Sequence, residues 1–258
     1  MSWEKLIKEN KPLVITGTIN AYSALLAERA GIKAIYLSGG GVANASYGLP
    51  DLAMTSREDV LEDVRRIRSA TELPLLVDID TGWGSALSIS RTIKEMISAG
   101  ASGVHIEDQV SEKRCGHRPN KEIVSCAEMV DRIKAAKDAQ TDDNFLLMAR
   151  TDAFAKGGLK EVIDRSNAFI EAGAGAIFPE AISTLKDYED ISKNVSMPIL
   201  ANITEFGMTP LFSHNELANA GVKIVLHPLS AFRAMSKAAE KVYATLASGG
   251  DHEGLLDK

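Results

Sequence analysis

Two aspartates standing two positions apart are the first groups in this chain whose spacing suits chemistry. Asp78 and Asp80 lie in VDIDTGWG, directly after the apolar residues LPLLV. Residues two apart on a β-strand face the same side, and two close carboxylates are costly unless a cation lies near them. Hard oxygen ligands suit Mg²⁺, which keeps several waters and takes one or two carboxylates. The spacing therefore indicates a magnesium site; the alternative is a turn that starts at Asp80 and leads to Gly82.

One of the chain's two cysteines stands among cations, in the segment KRCGH. The neighbours of Cys115 are Lys113, Arg114 and His117. Positive charge lowers the pKa of a thiol and favours the thiolate. Because the segment follows the strand-like HIED, substrate could reach Cys115, which becomes a candidate nucleophile or proton donor and acceptor. The alternative is a buried inert thiol, a description that fits Cys126 at the start of a predicted helix.

Two arginines and a run of glycines are candidates for holding an anion. Arg150 ends the run FLLMAR and suits bidentate recognition of a carboxylate or phosphate, or else a salt bridge to Glu180 or Asp152. Arg233, in SAFRAM, could serve the same purpose or lie at the surface. The glycines of LSGGG would let backbone N–H groups approach an anion, unless they only form a turn. Their spacing is not that of a dinucleotide-binding fingerprint.

Eight short apolar runs precede these groups and predict the elements that position them. The runs are LVITGT at 13, AIYLS at 34, LPLLVDID at 73, GVHIED at 103, FLLMART at 145, AIFPE at 176, PILANI at 198 and KIVLHP at 223. Their uniform apolarity is typical of buried parallel strands. Amphipathic helices are predicted between them, one opening at Ser56 with Asp59 three positions on, and two ending at Gly100 and Gly173.

This alternation predicts a single (β/α)8 TIM barrel over residues 1–258, with a doubly wound open sheet as the alternative. Catalytic groups of such barrels lie at the carboxyl ends of the strands. The polar residues predicted there are Tyr36, Ser38, Asp78, Asp80, Glu107, Asp108, Arg150, Asp152, Glu180, Asn202, Thr204 and His227. A barrel that needed only stability would not require charge at nearly every strand end.

Charge and cysteine content narrow the class of protein further. The net charge of −6 argues against a general affinity for nucleic acid or an anionic membrane surface. No run approaches the roughly 18 apolar residues that a membrane span needs. Two cysteines fit a reducing compartment, and the first ten residues lack the apolar core of a signal peptide. We therefore expect a cytoplasmic protein.

The motifs, taken in order, resemble those of the 2-methylisocitrate lyases in the isocitrate lyase and phosphoenolpyruvate mutase superfamily. The matching segments are SGGG, VDIDTGWG, HIEDQ, KRCGH, RPNK, ARTDA, FPEA, LANITEFG and PLSAFRAM. Isocitrate lyases typically read KKCGH and are much longer, and phosphonate-forming mutases lack the cysteine. The resemblance implies a barrel that exchanges helices within a homotetramer. It also implies Mg²⁺-dependent cleavage of (2S,3R)-2-methylisocitrate to pyruvate and succinate, in the methylcitrate cycle of propionate catabolism.

The resemblance also implies roles for individual residues. Asp78 and Asp80 would hold Mg²⁺, Arg150 would clamp the substrate, and Cys115 would act as general acid. Tyr36 is the leading hypothesis for the base, the alternative being that it only packs or donates a hydrogen bond. The implied substrate-binding residues are Ser38, Gly39, Gly40, Gly116, Glu180, Asn202, Thr204 and Arg233. Those implied to shape the pocket for the methyl group are Phe178, Leu226 and Pro228.

One departure and three rival functions remain open at this point. The chain ends at DHEGLLDK, where family members usually continue, so a C-terminal tail that carries a further arginine and the last exchanged helix is expected to be missing. The first rival is a related lyase for isocitrate, 2,3-dimethylmalate or oxaloacetate. The second is a mutase acting on a carbon–phosphorus bond, against which Cys115 argues. The third is a non-catalytic binding protein, which the intact set of Cys115, Asp78, Asp80 and Arg150 makes improbable.

Overall fold

Eight parallel strands form the framework that places the polar groups. The computed structural model describes residues 2–116 and 120–250. The strands are β1 (Leu13–Gly17), β2 (Ile35–Leu37), β3 (Leu75–Asp78), β4 (Gly103–Glu107), β5 (Leu146–Thr151), β6 (Ala176–Pro179), β7 (Leu200–Asn202) and β8 (Ile224–His227). Hydrogen-bonded neighbours follow the order β6-β5-β4-β3-β2-β1-β8-β7. A parallel bridge from Ile177 to Ile199, just before β7, closes the sheet. The predicted barrel is confirmed and the open sheet is wrong.

Helices alternate with the strands around the outside of the barrel. They are α1 (Trp3–Glu9), α2 (Ala21–Arg29), α3 (Gly39–Gly41), α4 (Arg57–Arg68), α5 (Ala86–Ser98), α6 (Cys126–Asp138), α7 (Phe154–Glu171), α8 (Leu185–Asn194), α9 (His214–Asn219) and α10 (Ser230–Ala247). A π-helical turn, Val42–Ser46, continues directly from α3. The predicted capping box of Ser56 and Asp59 starts α4. Gly100 and Gly173 adopt positive φ angles of 92° and 114° after α5 and α7, as expected.

Alternate side chains of the strands build two separate apolar layers. One layer fills the interior of the barrel and includes Ile15, Met148 and Leu226, all fully buried. Trp3 and Leu6 of α1 join this layer and close the amino-terminal end of the barrel, where the Trp3 indole donates a hydrogen bond to the Ser102 carbonyl at 2.8 Å. The other layer packs the outer faces of the strands against the helices. The carboxyl ends of the strands, where the polar groups lie, are therefore supported by closely packed apolar side chains.

The last helix differs from the others because none of its residues is buried. Its apolar side chains Met235, Tyr243 and Leu246 are 40%, 71% and 50% exposed. No helix in the described part of the chain is long and apolar enough to cross a bilayer. Residues 251–258, on which the expectation of a missing tail depends, lie outside the described residues.

Candidate active site

A cavity of about 570 Å³ opens at the carboxyl ends of the strands. Its lining includes the predicted site residues Tyr36, Ser38, Gly40, Asp78, Cys115, Gly116, Arg150, Glu180, Asn202, Thr204 and Arg233. Phe178 and Pro228 also line it, whereas Leu226 is fully buried in the interior layer and does not. Gly39 and Asp80 are absent from the lining, but the backbone N–H of each donates to the Asp78 carboxylate, at 3.1 and 3.0 Å. The structure thus gathers most of the predicted set around one space.

A larger cleft of about 860 Å³ opens at the opposite end of the barrel, beside α1. It is lined in part by surface lysines such as Lys8 and Lys223 and by none of the polar strand-end residues. Chemistry in barrels of this kind occurs at the carboxyl ends of the strands, so the smaller cavity is the candidate active site.

The two aspartates converge, but by a route other than the predicted one. β3 ends at Asp78, and Asp80 lies beyond it with a φ of 48°, in a turn that the Gly82 N–H closes onto the Ile79 carbonyl at 2.8 Å. The expectation that both stand on one strand face is therefore wrong. The turn still brings them together, because a Cβ on Gly39 would lie 3.1 Å from an oxygen of each carboxylate.

Burial and neighbouring charge separate the pKa values of the two carboxyls. Burial acts to raise the pKa of Asp78, but the charges of His105, Lys113 and Arg150 lower it to about 2. The pKa of Asp80 is raised to about 6, because burial and the charge of Asp78 outweigh the effect of Lys113. The Lys113 ammonium lies 2.6 Å from Asp80 and 2.7 Å from Asp51. Lys113 is thus paired with two carboxylates, and its effect on the pKa of the Cys115 thiol stays a prediction.

The donor set around Asp78 and Asp80 fits Mg²⁺. Glu107, at the end of β4, is buried, and its Oε1 has no hydrogen-bond partner among the described residues. Within the described ranges, no group of three or more His, Cys, Asp or Glu side chains is arranged to enclose a metal by itself. Mg²⁺ does not require this, since it binds through one or two carboxylates and completes its octahedron with waters and substrate oxygens.

Arg150 is the centre of the charge network in the cavity. Its guanidinium nitrogens lie 3.0 Å from Asp152, 3.2 Å from Glu107 and 3.4 Å from Glu180. Burial would lower the pKa of Arg150, but these carboxylates, Asp152 foremost, raise it well above its ordinary value. The salt bridges that were the alternative to anion binding therefore exist. Because Arg150 also lines the cavity, they orient a permanent cation toward any bound ligand.

Cys115 reaches the cavity from the loop after β4. The two ends of this loop pair as an antiparallel bridge between Gln109 and Ile123. Gln109 also fixes the backbone of Arg114, accepting from its N–H at 3.0 Å and donating to its carbonyl at 2.9 Å. Cys115 is partly exposed and lines the cavity. His117, the third predicted cation beside the thiol, lies outside the described residues.

Tyr36 faces the same cavity but is held by two buried groups. Its hydroxyl lies 2.9 Å from His105 Nε2 and 3.4 Å from Asp78 Oδ2. Burial, and then the charge of Asp78, raises the pKa of Tyr36 well above its ordinary value. A free phenolate is therefore costly here, so the base role of Tyr36 needs additional positive charge and stays a prediction.

Arg233 and the polar ends of β6 and β7 form the far wall. Arg233, in the first turn of α10, donates to the Thr204 hydroxyl and to the Glu205 carbonyl, both at 2.9 Å. Asn202 donates to a Glu180 oxygen at 3.4 Å. The reading of Arg233 as an isolated surface residue is wrong, because it contacts the strand-end residues and lines the cavity.

Sequence reasoning missed four polar residues that shape the site. They are Asp51, His105, Lys121 and Glu205. Asp51 stands in a loop outside the matching segments and Glu205 within LANITEFG, and the fold brings both to the cavity. His105 stands two positions before Glu107 on β4, so both side chains face the same side of the strand, and this spacing could have indicated His105 as a site residue. The side chain of Lys121 is buried although its position in a polar loop predicts exposure.

Known proteins resemble this chain along nearly its whole length. The family model described as phosphoenolpyruvate phosphomutase matches residues 3–247. The 2-methylisocitrate lyase of Shewanella oneidensis is 59% identical over 257 residues, which cover 100% of this chain and 88% of the relative.

Two solved structures share the fold along nearly the whole chain. Oxaloacetate acetylhydrolase, in complex with the inhibitor 3,3-difluorooxalacetate, superposes with a TM-score of 0.92 at 29% identity, covering 100% of this chain and 88% of that one. Phosphonopyruvate hydrolase, in complex with oxalate and Mg²⁺, gives a TM-score of 0.85 at 30% identity, covering 98% and 89%.

Proposed function

We propose that this chain, which belongs to the phosphoenolpyruvate phosphomutase family, cleaves (2S,3R)-2-methylisocitrate to pyruvate and succinate. It is a carbon–carbon lyase. The observation that carries the proposal is the placement of Cys115 in one cavity with Asp78 and Arg150, in a chain 59% identical throughout to a 2-methylisocitrate lyase. The remaining contacts of the cavity supply what such a reaction needs.

The cleavage is a retro-aldol step, and its protons can be followed. The tertiary hydroxyl of the substrate loses its proton to a base, for which Tyr36 is the candidate. The carbon–carbon bond breaks, the hydroxyl-bearing carbon becomes the carbonyl of pyruvate, and the electron pair passes to the carbon beside a carboxylate. The Cys115 thiol then donates its proton to that carbon and releases succinate. Arg150, which stays charged during the reaction, holds the carboxylate next to the tertiary hydroxyl of the substrate.

Asp78 and Asp80, together with Glu107 at the end of β4, are the residues that would hold Mg²⁺. When bound, the ion supplies a Lewis acid that lowers the pKa of the substrate hydroxyl and offsets developing negative charge. The proposal rests on their convergence beside Gly39 and on the Glu107 oxygen without a hydrogen-bond partner among the described residues. A structural neighbour, phosphonopyruvate hydrolase, is described in complex with oxalate and Mg²⁺.

Polar groups around the cavity would hold the substrate. Ser38, Gly39 and Gly40 would hold the carboxylate and carbonyl of its pyruvate part, and the rest would be held by Gly116, Glu180, Asn202, Thr204 and Arg233. Of these, Gly39 stands back from the cavity, and its N–H donates to Asp78 Oδ2 at 3.1 Å. Phe178 and Pro228 offer apolar surface to the methyl group. One methyl in an apolar pocket is worth about 1–3 kcal/mol, so the preference over isocitrate should be real but finite.

A pair of cysteine variants tests the proton-donor role. We expect Cys115→Ser to lower kcat by about 10²- to 10⁴-fold, because a hydroxyl is a much weaker acid than a thiol. Cys126→Ser is the matched control, since Cys126 starts α6 and does not line the cavity. Turnover by Cys115→Ser at the rate of the control would remove Cys115 from the mechanism.

We also propose a homotetramer in which neighbouring subunits exchange α10. The support is the helix itself, which has no buried residue and exposes Tyr243 and Leu246. For the same protein we propose a role in the breakdown of propionate in the cytoplasm. The substrate supports that pathway, and a chain with only two cysteines suits a reducing compartment.

A further inference from the structure

Lys121 is a buried cation that the mechanism above does not use. It stands where the segment after the Cys115 loop pairs back onto the residues that follow β4, with Val110 N–H bonded to the Glu122 carbonyl at 3.0 Å. The side chain is 5% exposed, although a lysine is rarely buried unless it is paired. Lys121 does not line the active-site cavity, so it does not touch the substrate.

The ammonium of Lys121 joins the Cys115 loop to the charge network of the barrel. Its Nζ donates to the Gly116 carbonyl at 2.5 Å and to Asp152 Oδ1 at 2.6 Å. Asp152 in turn accepts from Arg150 Nε at 3.0 Å, and its own N–H donates to Asp108 at 2.9 Å. Charge-assisted bonds of this kind are stronger than neutral ones. The carbonyl next to Cys115 is therefore tied to the group that orients Arg150.

Cys115 is consequently held from both sides. Gln109 fixes the N–H and the carbonyl of Arg114, the residue before it. Lys121 fixes the carbonyl of Gly116, the residue after it. Gly116 is so close to the barrel that an added Cβ would lie 2.3 Å from Arg150 Nη2. The segment from Arg114 to Gly116 therefore has very little room to shift while these bonds persist.

We propose that Lys121 is a positioning residue, which sets the place of Cys115 against Arg150 by clamping the Gly116 carbonyl to Asp152. The proposal rests on the proposed function in taking Cys115 as the proton donor. Without the clamp the loop leaves its position, and a misplacement of about 1 Å at a reacting group costs about 10²-fold in rate. Binding of the substrate changes less, because Asn202, Thr204 and Arg233 hold it from the other wall of the cavity and do not contact Lys121.

The test combines kinetics with alkylation of the two cysteines. In Lys121→Met we expect kcat to fall about 10²-fold with KM changed no more than about threefold. Iodoacetamide should alkylate Cys115 at least about fivefold faster, because the loop opens locally, while the rate at Cys126 stays unchanged as an internal reference. Lys134→Met, at an exposed position of α6, is the matched control and should behave as wild type.

A second variant keeps the test decisive if removal of the charge beside Asp152 unfolds the protein. Lys121→Arg keeps a cation next to Asp152, but its larger fork cannot place one nitrogen on both oxygens. We expect it to fold and to show the same two changes at smaller size. Wild-type alkylation of Cys115 in a folded variant would overturn the proposal, whatever happens to kcat.

The alkylation readout separates this proposal from the proposed function, because it needs no turnover. Faster alkylation of Cys115 in the variants would support the clamp even if the wild-type protein released no pyruvate from 2-methylisocitrate. That second result would count against the substrate alone.

Discussion

Individual residues of the cavity take their properties from burial and from one another. Three cations, Lys113, Lys121 and Arg150, are each bound to buried carboxylates. Buried charges are tolerated only when they are paired in this way, so loss of one partner is costly. Burial acts to raise the pKa of Asp78, but the charges of His105, Lys113 and Arg150 lower it to about 2, beside Asp80, whose pKa is about 6. A cation at this place would relieve the repulsion between the two.

Replacement of Tyr36 by phenylalanine tests the base hypothesis. If the phenol removes the substrate proton, Tyr36→Phe should lower kcat at least about 10²-fold, the usual contribution of a general base. The variant keeps the ring in the barrel interior, so the fold should be preserved. Steady-state turnover is the measurement. Near-normal turnover would show that Tyr36 only packs or donates a hydrogen bond to His105 or Asp78.

Replacement of Gly116 by alanine tests how tightly the Cys115 loop must approach the barrel. The new Cβ would lie 2.3 Å from Arg150 Nη2 and 2.6 Å from Glu180 Cγ, so the loop must move away. We expect kcat/KM to fall about 10²-fold with little change in thermal stability. Gly175→Ala is the control, because its Cβ would meet the flexible tip of Leu146 at 3.3 Å and the Leu147 carbonyl oxygen at 3.7 Å, an ordinary contact. Equal activity in the two variants would contradict the closed position of the loop.

Part of this residue-level picture was readable from the sequence. Cys115, Asp78 and Arg150 follow apolar runs, and the ends of buried strands are where barrels place their chemistry. Asp51 and Lys121 were not predicted, because each pairs with a charged side chain far along the chain, Asp51 with Lys113 and Lys121 with Asp152. Their roles follow from tertiary contacts that no local pattern records.

The strands themselves were predictable because of how they are buried. A parallel strand covered on both faces reads as a continuous apolar run, and all eight runs became strands. The side chains of Asp78 and Asp80 lie close together, as predicted, but not because both stand on one strand. The backbone leaves β3 after Asp78 and adopts a left-handed conformation at Asp80. A non-glycine residue in that region is uncommon, so the sequence favoured a straight strand.

The contact between β1 and β8 offers a test at the level of elements. A Cβ on Gly17, the last residue of β1, would lie 1.6 Å from the Pro228 carbonyl oxygen, and a backbone atom cannot rotate away. We expect Gly17→Ala to lower the free energy of unfolding by about 3 kcal/mol or more. Urea denaturation would measure this change. A loss below about 0.5 kcal/mol, the scale of a neutral surface substitution, would contradict the close approach.

At the scale of the whole molecule, the exposure of α10 has no explanation within a single chain. An 18-residue helix with no buried residue gains little from its own barrel. Its apolar pattern predicts a helix, but the sequence does not say which surface covers it, because a partner subunit leaves no local signal. The resemblance, and not the pattern, supplied the expectation of exchange.

Two variants of α10 test the proposed tetramer. We expect wild-type protein to have about four times the chain mass by light scattering, and Tyr243→Asp with Leu246→Asp to give smaller species, because charge would be buried at the contact. Lys241→Gln, on the same helix, is the control and should keep the wild-type mass. A wild-type monomer would contradict the exchange, and so would a double variant that assembles normally.

The most direct measurement is release of pyruvate and succinate from (2S,3R)-2-methylisocitrate with Mg²⁺, run beside isocitrate, 2,3-dimethylmalate and oxaloacetate. We expect equal amounts of the two products, a higher kcat/KM for 2-methylisocitrate than for the other three acids, and loss of activity on chelation that Mg²⁺ restores. A higher kcat/KM for any of the other acids, or no pyruvate from 2-methylisocitrate, would contradict the proposed substrate.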